Sequence, residues 1–292
     1  MKDYLIRGTD ELGRIRVLVA TSTNMVEKAR QKHNTSPTAT AALGRSLTAG
    51  VLMGAMMKNE KDVLTIKIAG DGPAGNIYIV AKNNGIVKGY ISNPGADLPS
   101  RSDGKLDVGG LVGKNGNITT MMDLGLKEPY IGQSNLVTGE IAEDLANYYM
   151  YSEQQPSAVS LGVLVDKDIS VRAAGGYIIQ LLPGISDEEI DKVEKSLSKI
   201  KPVSTMIDEG MTPEEVLREI LGDFNIKILD KISIDFQCDC SRNKIEKVLM
   251  SLGKKELNDI IEEDEKAEVV CHFCNTKYQF NKEELINLIV DI

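Results

Sequence analysis

The sequence predicts an α+β protein in three parts: a mixed sheet-and-helix N-terminal domain over residues 1–182, a charged helical linker over 183–231 and a small cysteine-bearing C-terminal domain over 232–292. Three observations carry this division. Alternating apolar segments and helix signals are interleaved in the first part, which is the texture of mixed α and β structure. Two S/T-x-x-E capping signatures sit in the charged middle stretch. The first 237 residues contain no cysteine, and the last 55 contain all four. A chain of 292 residues is too long for one small domain, since domains usually hold roughly 100–200 residues.

Taken in order, Gly13 to Ala20 alternates as a half-buried strand, with Ile15, Val17 and Val19 on one face. Ser36-Pro37 opens a helix rich in small residues (Ala41, Ala42, Gly44, Ala49, Gly50, Gly54), and Pro37 suits a first helical turn, where its missing N–H costs nothing. Val63 to Ile68 and Asn76 to Ala81 read as strands flanking Gly70-Asp71-Gly72-Pro73-Ala74-Gly75. That segment matches G-x-G-x-x-G, but a dinucleotide site needs a helix to start there, and the alternation of Asn76 to Val80 predicts a strand, hence a hairpin. Asn115-Gly116 predicts a second hairpin between Leu111-Val112 and Ile118-Thr119. Glu140 to Tyr151 reads as a helix, and Val159 to Val165 with Ile169 to Ala173 as a strand pair turning at Asp166-Lys167-Asp168.

After Pro183-Gly184, Ser186 with Glu189 and Thr212 with Glu215 form capping boxes, and Pro213 and Gly222 mark the start and end of the second helix. The tail reads as a strand into Cys238, a helix from Ser241 to Leu252 ended by Gly253, and a helix through Ile260-Ile261. A strand from Glu268 to Cys271, then Tyr278-Gln279-Phe280, and a last helix capped by Asn281 with Glu284 complete it.

Composition limits the functions on offer. The net charge of -9 argues against nucleic acid, whose backbone rewards clustered Lys and Arg, and against an anionic membrane surface. The N-terminal segment has no apolar run with a small-residue cleavage site, so the expected compartment is the cytoplasm, where thiols stay reduced. Only His33 and His272 are present, and no nucleophile–base pair stands at meaningful spacing, so an enzyme is not expected; Asp71 and Glu153 fit turn or cap roles. Met53, Met56, Met57, Met121 and Met122 read as core filler, with an adaptable binding surface as the minor alternative.

Cys238-Asp239-Cys240 and Cys271-His272-Phe273-Cys274 are two close pairs separated by 30 residues. Soft thiolates in two such pairs suit one tetrahedral zinc ion, so Cys238, Cys240, Cys271 and Cys274 are the expected ligands of a single Zn2+; His272 inside the knuckle is the lesser candidate. Two disulfides or four free core cysteines are the alternatives. Four protein ligands leave no water position, which makes catalytic zinc unsuitable. The site is then either a permanent structural clamp or a redox switch. The C-x-C spacing tilts the reading to the switch, because metal-bound thiolates are open to oxidants and oxidation removes the ligands.

The segments Phe236-Gln237-Cys238-Asp239-Cys240-Ser241-Arg242, Leu252-Gly253, Glu256-Leu257, Glu268 to Asn275, and Tyr278 with Phe280 resemble the heat-shock protein 33 family of redox-regulated chaperones. So do Gly70-Asp71-Gly72-Pro73, Tyr148-Tyr149 with Ser152 to Val159, and Ala174-Gly175-Gly176-Tyr177 with Gln180 to Gly184. The resemblance runs over nearly the whole chain. It implies an ATP-independent holdase that is inactive when reduced and zinc-loaded. It further implies that oxidation pairs Cys238 with Cys240 and Cys271 with Cys274, expels zinc, loosens the tail and linker and bares surface for unfolding client proteins. Activated members form homodimers and pass clients to an ATP-dependent refolding chaperone. The rival readings are a constitutive protein-binding module with a purely structural zinc ribbon, and a thiol oxidoreductase using Cys271 and Cys274, for which no thioredoxin-like βαβ frame is present.

Overall fold

The structure is a computed structural model that describes residues 2–290, so the outermost ends of the first and last expected segments, Met1 and residues 291–292, lie outside the described residues. The chain divides into two compact units, Met1–Gln237 and Cys238–Ile292. In the first unit the strands are β1 (Tyr4–Thr9), β2 (Ile15–Thr21), β3 (Val63–Ala69), β4 (Asn76–Lys82), β5 (Ile86–Ile91), β6 (Asn117–Asp123), β7 (Tyr130–Asn135), β8 (Ser157–Val165), β9 (Val171–Leu181), β10 (Lys227–Ser233) and β11 (Asp235–Phe236). Its helices are α1 (Thr23–His33), α2 (Pro37–Gly54), α3 (Val108–Val112), α4 (Ala142–Tyr151), α5 (Asp187–Leu197), α6 (Val203–Asp208) and α7 (Pro213–Leu221). The α+β class expected from the sequence holds.

The strands form two sheets. One is antiparallel in the order β10-β1-β2-β9-β8, and the other runs β11-β5-β4-β3-β6-β7, antiparallel except for the β11–β5 pair. Helix α2 packs against strands of both. That position explains its composition. A helix between two sheets has no solvent face, and nearly every residue of α2 is buried. Small residues set the approach: a methyl group at Gly44 would come 2.5 Å from Val26, and one at Gly50 would come 2.5 Å from Ile79. The helix starts as expected, with the Ser36 side chain accepting from the Ala39 N–H and Pro37 in the first turn. Ser46 and Thr48 turn their hydroxyls back to the carbonyls of Ala42 and Gly44, so these buried polar groups are satisfied within the helix.

The stretch after Gly184 is a folded cover. Both capping boxes form, at Ser186–Glu189 and Thr212–Glu215. Val193, Val203, Met206, Val216, Leu217, Ile220 and Leu221 are buried with Ile6, Ile15, Val17 and Val19 of the first sheet, forming a core separate from the one around α2. Charge lies on the other side of these helices, which is the amphipathic pattern of a surface helix. The sequence reading starts the C-terminal part at 232, but β10 continues the first sheet beside β1, and β11 extends the second. Backbone pairing with partners far back in the chain puts these residues in the first unit.

The expected hairpin at Asn115-Gly116 does not form. Leu111 and Val112 lie in the short helix α3, and β6 pairs with β3 instead. The reason is tertiary: Gly72 and Ala74 donate their N–H groups to the carbonyls of Val112 and Leu111, so the end of α3 closes onto the β3–β4 turn. Asp71 accepts from the N–H groups of Lys114 and Asn115, the turn role expected of it. The β3–β4 hairpin itself is present as read, and no helix starts at Gly75.

The second unit contains α8 (Arg242–Met250), α9 (Lys254–Glu263), the antiparallel pair β12 (Lys266–Val270) and β13 (Lys277–Asn281), and α10 (Lys282–Val290). All follow the sequence reading to within a few residues at their ends. Asn281 and Glu284 cap α10 reciprocally, through Asn281 Oδ1 accepting the Glu284 N–H and the Glu284 carboxylate accepting the Asn281 N–H. The core is small: Leu249, Leu257, Ile261, Phe280, Leu285 and Leu288. Arg242 reinforces it from outside, with its guanidinium 4.3 Å from the Phe280 ring centre and hydrogen-bonded to the Gln279 carbonyl at 3.0 Å.

Candidate metal centre

Two backbone features bring the cysteines together. Cys238 and Cys240 lie in the extended segment that ends at Ser241, whose side chain caps α8 by accepting from the Lys244 N–H. Cys271 and Cys274 occupy the tight turn between β12 and β13. There the Cys274 and Asn275 N–H groups both donate to the Cys271 carbonyl, and the Cys271 N–H donates to Thr276 O. Asn275 takes the left-handed conformation at φ 56°, which an Asn tolerates better than most residues. The strand register of β12 and β13, with Val270 opposite Lys277, sets the width of this knuckle.

All four Sγ atoms lie within 4.8 Å of one another. Cys238 and Cys271 are 3.8 Å apart and Cys240 and Cys274 are 3.3 Å apart, so each cysteine of one pair stands beside one of the other. Cys274 is buried and the other three are half-buried. The arrangement is a cage of soft donors that can hold one ion. His272 is exposed and stands outside the converging group.

The electrostatics are those of groups that cannot all ionise without a cation. Burial is the largest influence on the thiols, and it pushes Cys238 and Cys271 up. At Cys274 burial is outweighed by hydrogen bonds from the Thr276 side chain and backbone, then from Cys240 and Cys271, which bring it down to about 7. The Tyr278 hydroxyl donates to Cys240 Sγ at 3.1 Å, and its phenol is pushed up to about 12, chiefly by that bond. Crowded thiolates repel one another, and a bound dication removes the conflict. No helix begins at the Cys271–Cys274 turn, since β13 follows it, so the helix N-terminus that activates a thioredoxin-type cysteine is missing here.

A second feature of the first unit was only partly legible in sequence. Met53, Met56, Met57 and Met122 line one cleft of roughly 470 Å³, together with Leu64, Tyr148 and Tyr149. Met53 and Met57 are buried, as core filler should be, while Met121, beside Met122 on β6, is 38% exposed. Glu153 accepts a short hydrogen bond from the buried Tyr148 hydroxyl, which also pairs with Thr120 Oγ1 at 2.6 Å. The sequence gives the methionines but not their convergence, which depends on the end of α2 meeting β3, β6 and α4.

The sequence profile of the Hsp33 protein family matches residues 3–281. The "33 kDa chaperonin" of Alkaliphilus oremlandii is 53% identical over 292 residues, covering 100% of this chain and 98% of that protein. That of Lachnoclostridium phytofermentans is 52% identical and covers 99% of each. A crystal structure of the 33 kDa chaperonin (heat shock protein 33 homolog) from Thermotoga maritima superimposes with a TM-score of 0.92 at 38% identity, covering 100% of both chains. The chain belongs to the Hsp33 family. Among the described residues no helix is long and apolar enough to cross a membrane.

Proposed function

We propose that this chaperone is an ATP-independent holdase of the cytoplasm, without catalytic activity, whose client binding is switched by oxidation of the four cysteines. The observation that carries the reading is the convergence of four Sγ atoms within 4.8 Å in a unit whose described residues form an apolar cluster of six buried side chains. Such a unit is too small to be secure on its apolar core alone.

Cys238, Cys240, Cys271 and Cys274 would hold one zinc ion. A tetrahedron of thiolates with zinc–sulfur bonds of about 2.3 Å places sulfurs about 3.8 Å apart, close to the spacing of Cys238 and Cys271 at 3.8 Å. Bound zinc supplies a closed coordination that keeps the thiols ionised and clamps the segment before α8 to the β12–β13 turn. Oxidation joins Cys238 to Cys240 and Cys271 to Cys274. Each disulfide forms as two thiolates give up two electrons to a hydrogen peroxide, which takes two protons from solvent and leaves as two waters. The sulfurs then no longer serve as four thiolate donors, and the clamp is lost. The second unit (238–292) unfolds and the helical cover (183–231) loosens from the N-terminal domain (1–182). Released, the cover uncovers the apolar face formed by Ile6, Ile15, Val17 and Val19. A pair of activated copies holding unfolding clients, and hand-over to an ATP-dependent chaperone after reduction, complete the cycle.

The test follows zinc release and aggregation of a heat-denatured client in one oxidation time course. Suppression should rise as zinc leaves. Equal suppression by the reduced and oxidised forms would reject the switch and leave a constitutive binding module with a structural zinc ribbon.

A further inference from the structure

The methionine cleft of the first unit contains a hydrogen-bond donor that its apolar surroundings serve poorly. Tyr149 is 5% exposed, and its hydroxyl donates to Met56 Sδ at 3.7 Å. A thioether sulfur is a weak acceptor. Burial holds the Tyr149 phenol well above its ordinary value, so the group stays a donor. Met56 is half-buried, in contrast to Met53 and Met57 beside it, and the cleft of roughly 470 Å³ has Arg16 and Glu153 in its wall. There is space for a small polar molecule next to the sulfur, and a proton donor is aimed at the same atom.

We propose that Met56 is an oxidant-accepting site, separate from the cysteine cluster, that takes oxygen from a small hydroperoxide. The Sδ lone pair attacks one oxygen of hydrogen peroxide, the O–O bond breaks and an S–O bond forms. The sulfur loses two electrons to the peroxide. The proton on the transferred oxygen passes to the departing hydroxide, leaving methionine sulfoxide and water. The Tyr149 O–H assists by donating to the departing oxygen, where negative charge develops, and afterwards to the sulfoxide oxygen, a far better acceptor than the thioether. With the Tyr149 hydroxyl 3.7 Å from the sulfur and the cleft as the way in, the oxidant is steered to one approach, and a single sulfoxide epimer is expected. The first unit thereby responds to oxidant through its own atoms, whatever the cysteines do.

The experiment exposes the reduced full-length protein to dilute hydrogen peroxide and follows each methionine by peptide mass mapping, in the wild type and in Tyr149→Phe. Met122 and Met211 are half-buried residues of the same unit and serve as references. Met56 is expected to gain oxygen ahead of Met122 and Met211. Its initial rate should fall at least about fivefold in Tyr149→Phe, on the order of 1 kcal/mol at 1.36 kcal/mol per tenfold, while the references keep theirs. Digestion with stereospecific sulfoxide reductases should find one epimer at Met56. Oxidation of Met25 and Met206, each 1% exposed, reports any loss of fold in the variant. The wild-type order of oxidation and the epimer ratio decide the matter even if the variant is unstable. Met56 reacting no faster than Met122 and Met211, or giving both epimers equally, overturns the proposal.

Discussion

The two units solve the same stability problem with different means. In the first, α2 is enclosed by sheets, and a second core lies under α5–α7, so dozens of buried apolar side chains secure it. In the second, six buried side chains do the work, and its ion pairs, such as Arg242–Glu284 with both side chains 43% exposed, are surface pairs worth little. Area removed from water scales stability, so the first unit has ample apolar burial while the second has little, and the proposed metal clamp would make up the difference. The difference shows where the proposed switch would act: the unit with the short apolar core is the one a metal clamp would have to hold together.

That contrast can be broken most directly at the metal. Chelation, or Cys271→Ser, should remove apparent binding energy of about 10–16 kcal/mol and unfold the second unit, while the first keeps its cooperative melt. Amide exchange resolved by segment checks this: protection should vanish over residues 242–290 and persist in α2. Protection that survives chelation in the tail would erase the distinction.

Core truncation sharpens it. Phe280→Ala should cost about 3–5 kcal/mol and Leu47→Ala about 2–5 kcal/mol, for side chains that are 1% and 0% exposed. Similar losses should have unequal consequences. The first should raise the free zinc concentration needed to fold the tail, and the second should merely lower the melting temperature of a unit that still folds.

A pH test separates the units again. Asp3, in the first unit, is pushed up to about 6 by burial, which outweighs the hydrogen bonds from the Met25 and Asn24 N–H groups and the Asn24 side chain. A folded-state value above the unfolded one means that the folded state binds the proton more tightly. The stability this gives is full below about pH 4 and is lost as pH rises through about 6. Asp3→Asn keeps an acceptor for Met25 and should remove that slope, gaining on the wild type between pH 4 and 6 by on the order of 1–3 kcal/mol. Chemical denaturation at several pH values measures it; parallel curves for the two proteins would refute the assignment.

The smallest effect lies in the helical cover. Thr212→Ala deletes an N-cap whose hydroxyl accepts from the Glu215 N–H, for a loss of about 1 kcal/mol. If the cover governs activation, this variant should also reach client suppression at a lower oxidant dose or temperature.

Much of this was legible in the sequence because it is local. Pro37 after Ser36, the Glu residues three positions beyond Ser186 and Thr212, and Asn281 with Glu284 name their helices without tertiary help. The four cysteines identify a common site because their chemistry leaves few other reasons to pair that way. What escaped was set at long range. Leu111 and Val112 carry no sign that their carbonyls will meet Gly72 and Ala74, so Asn115-Gly116 looked like a hairpin. β10 and β11 have charged or very short sequences, and only pairing with β1 and β5 makes them strands of the first unit. The helical cover reads as charged because most of such a surface can be polar while its one apolar stripe is what packs.

β11 gives the chain a mooring point. Gln237 donates its N–H to Val87 O at 2.9 Å, Phe236 is 2% exposed, and Cys238 is the next residue. Fraying that begins in the tail therefore meets a fixed stop one peptide bond before the first sulfur. A protease sampling the oxidised molecule should find its first cuts after that stop, leaving a trimmed core that ends near Gln237.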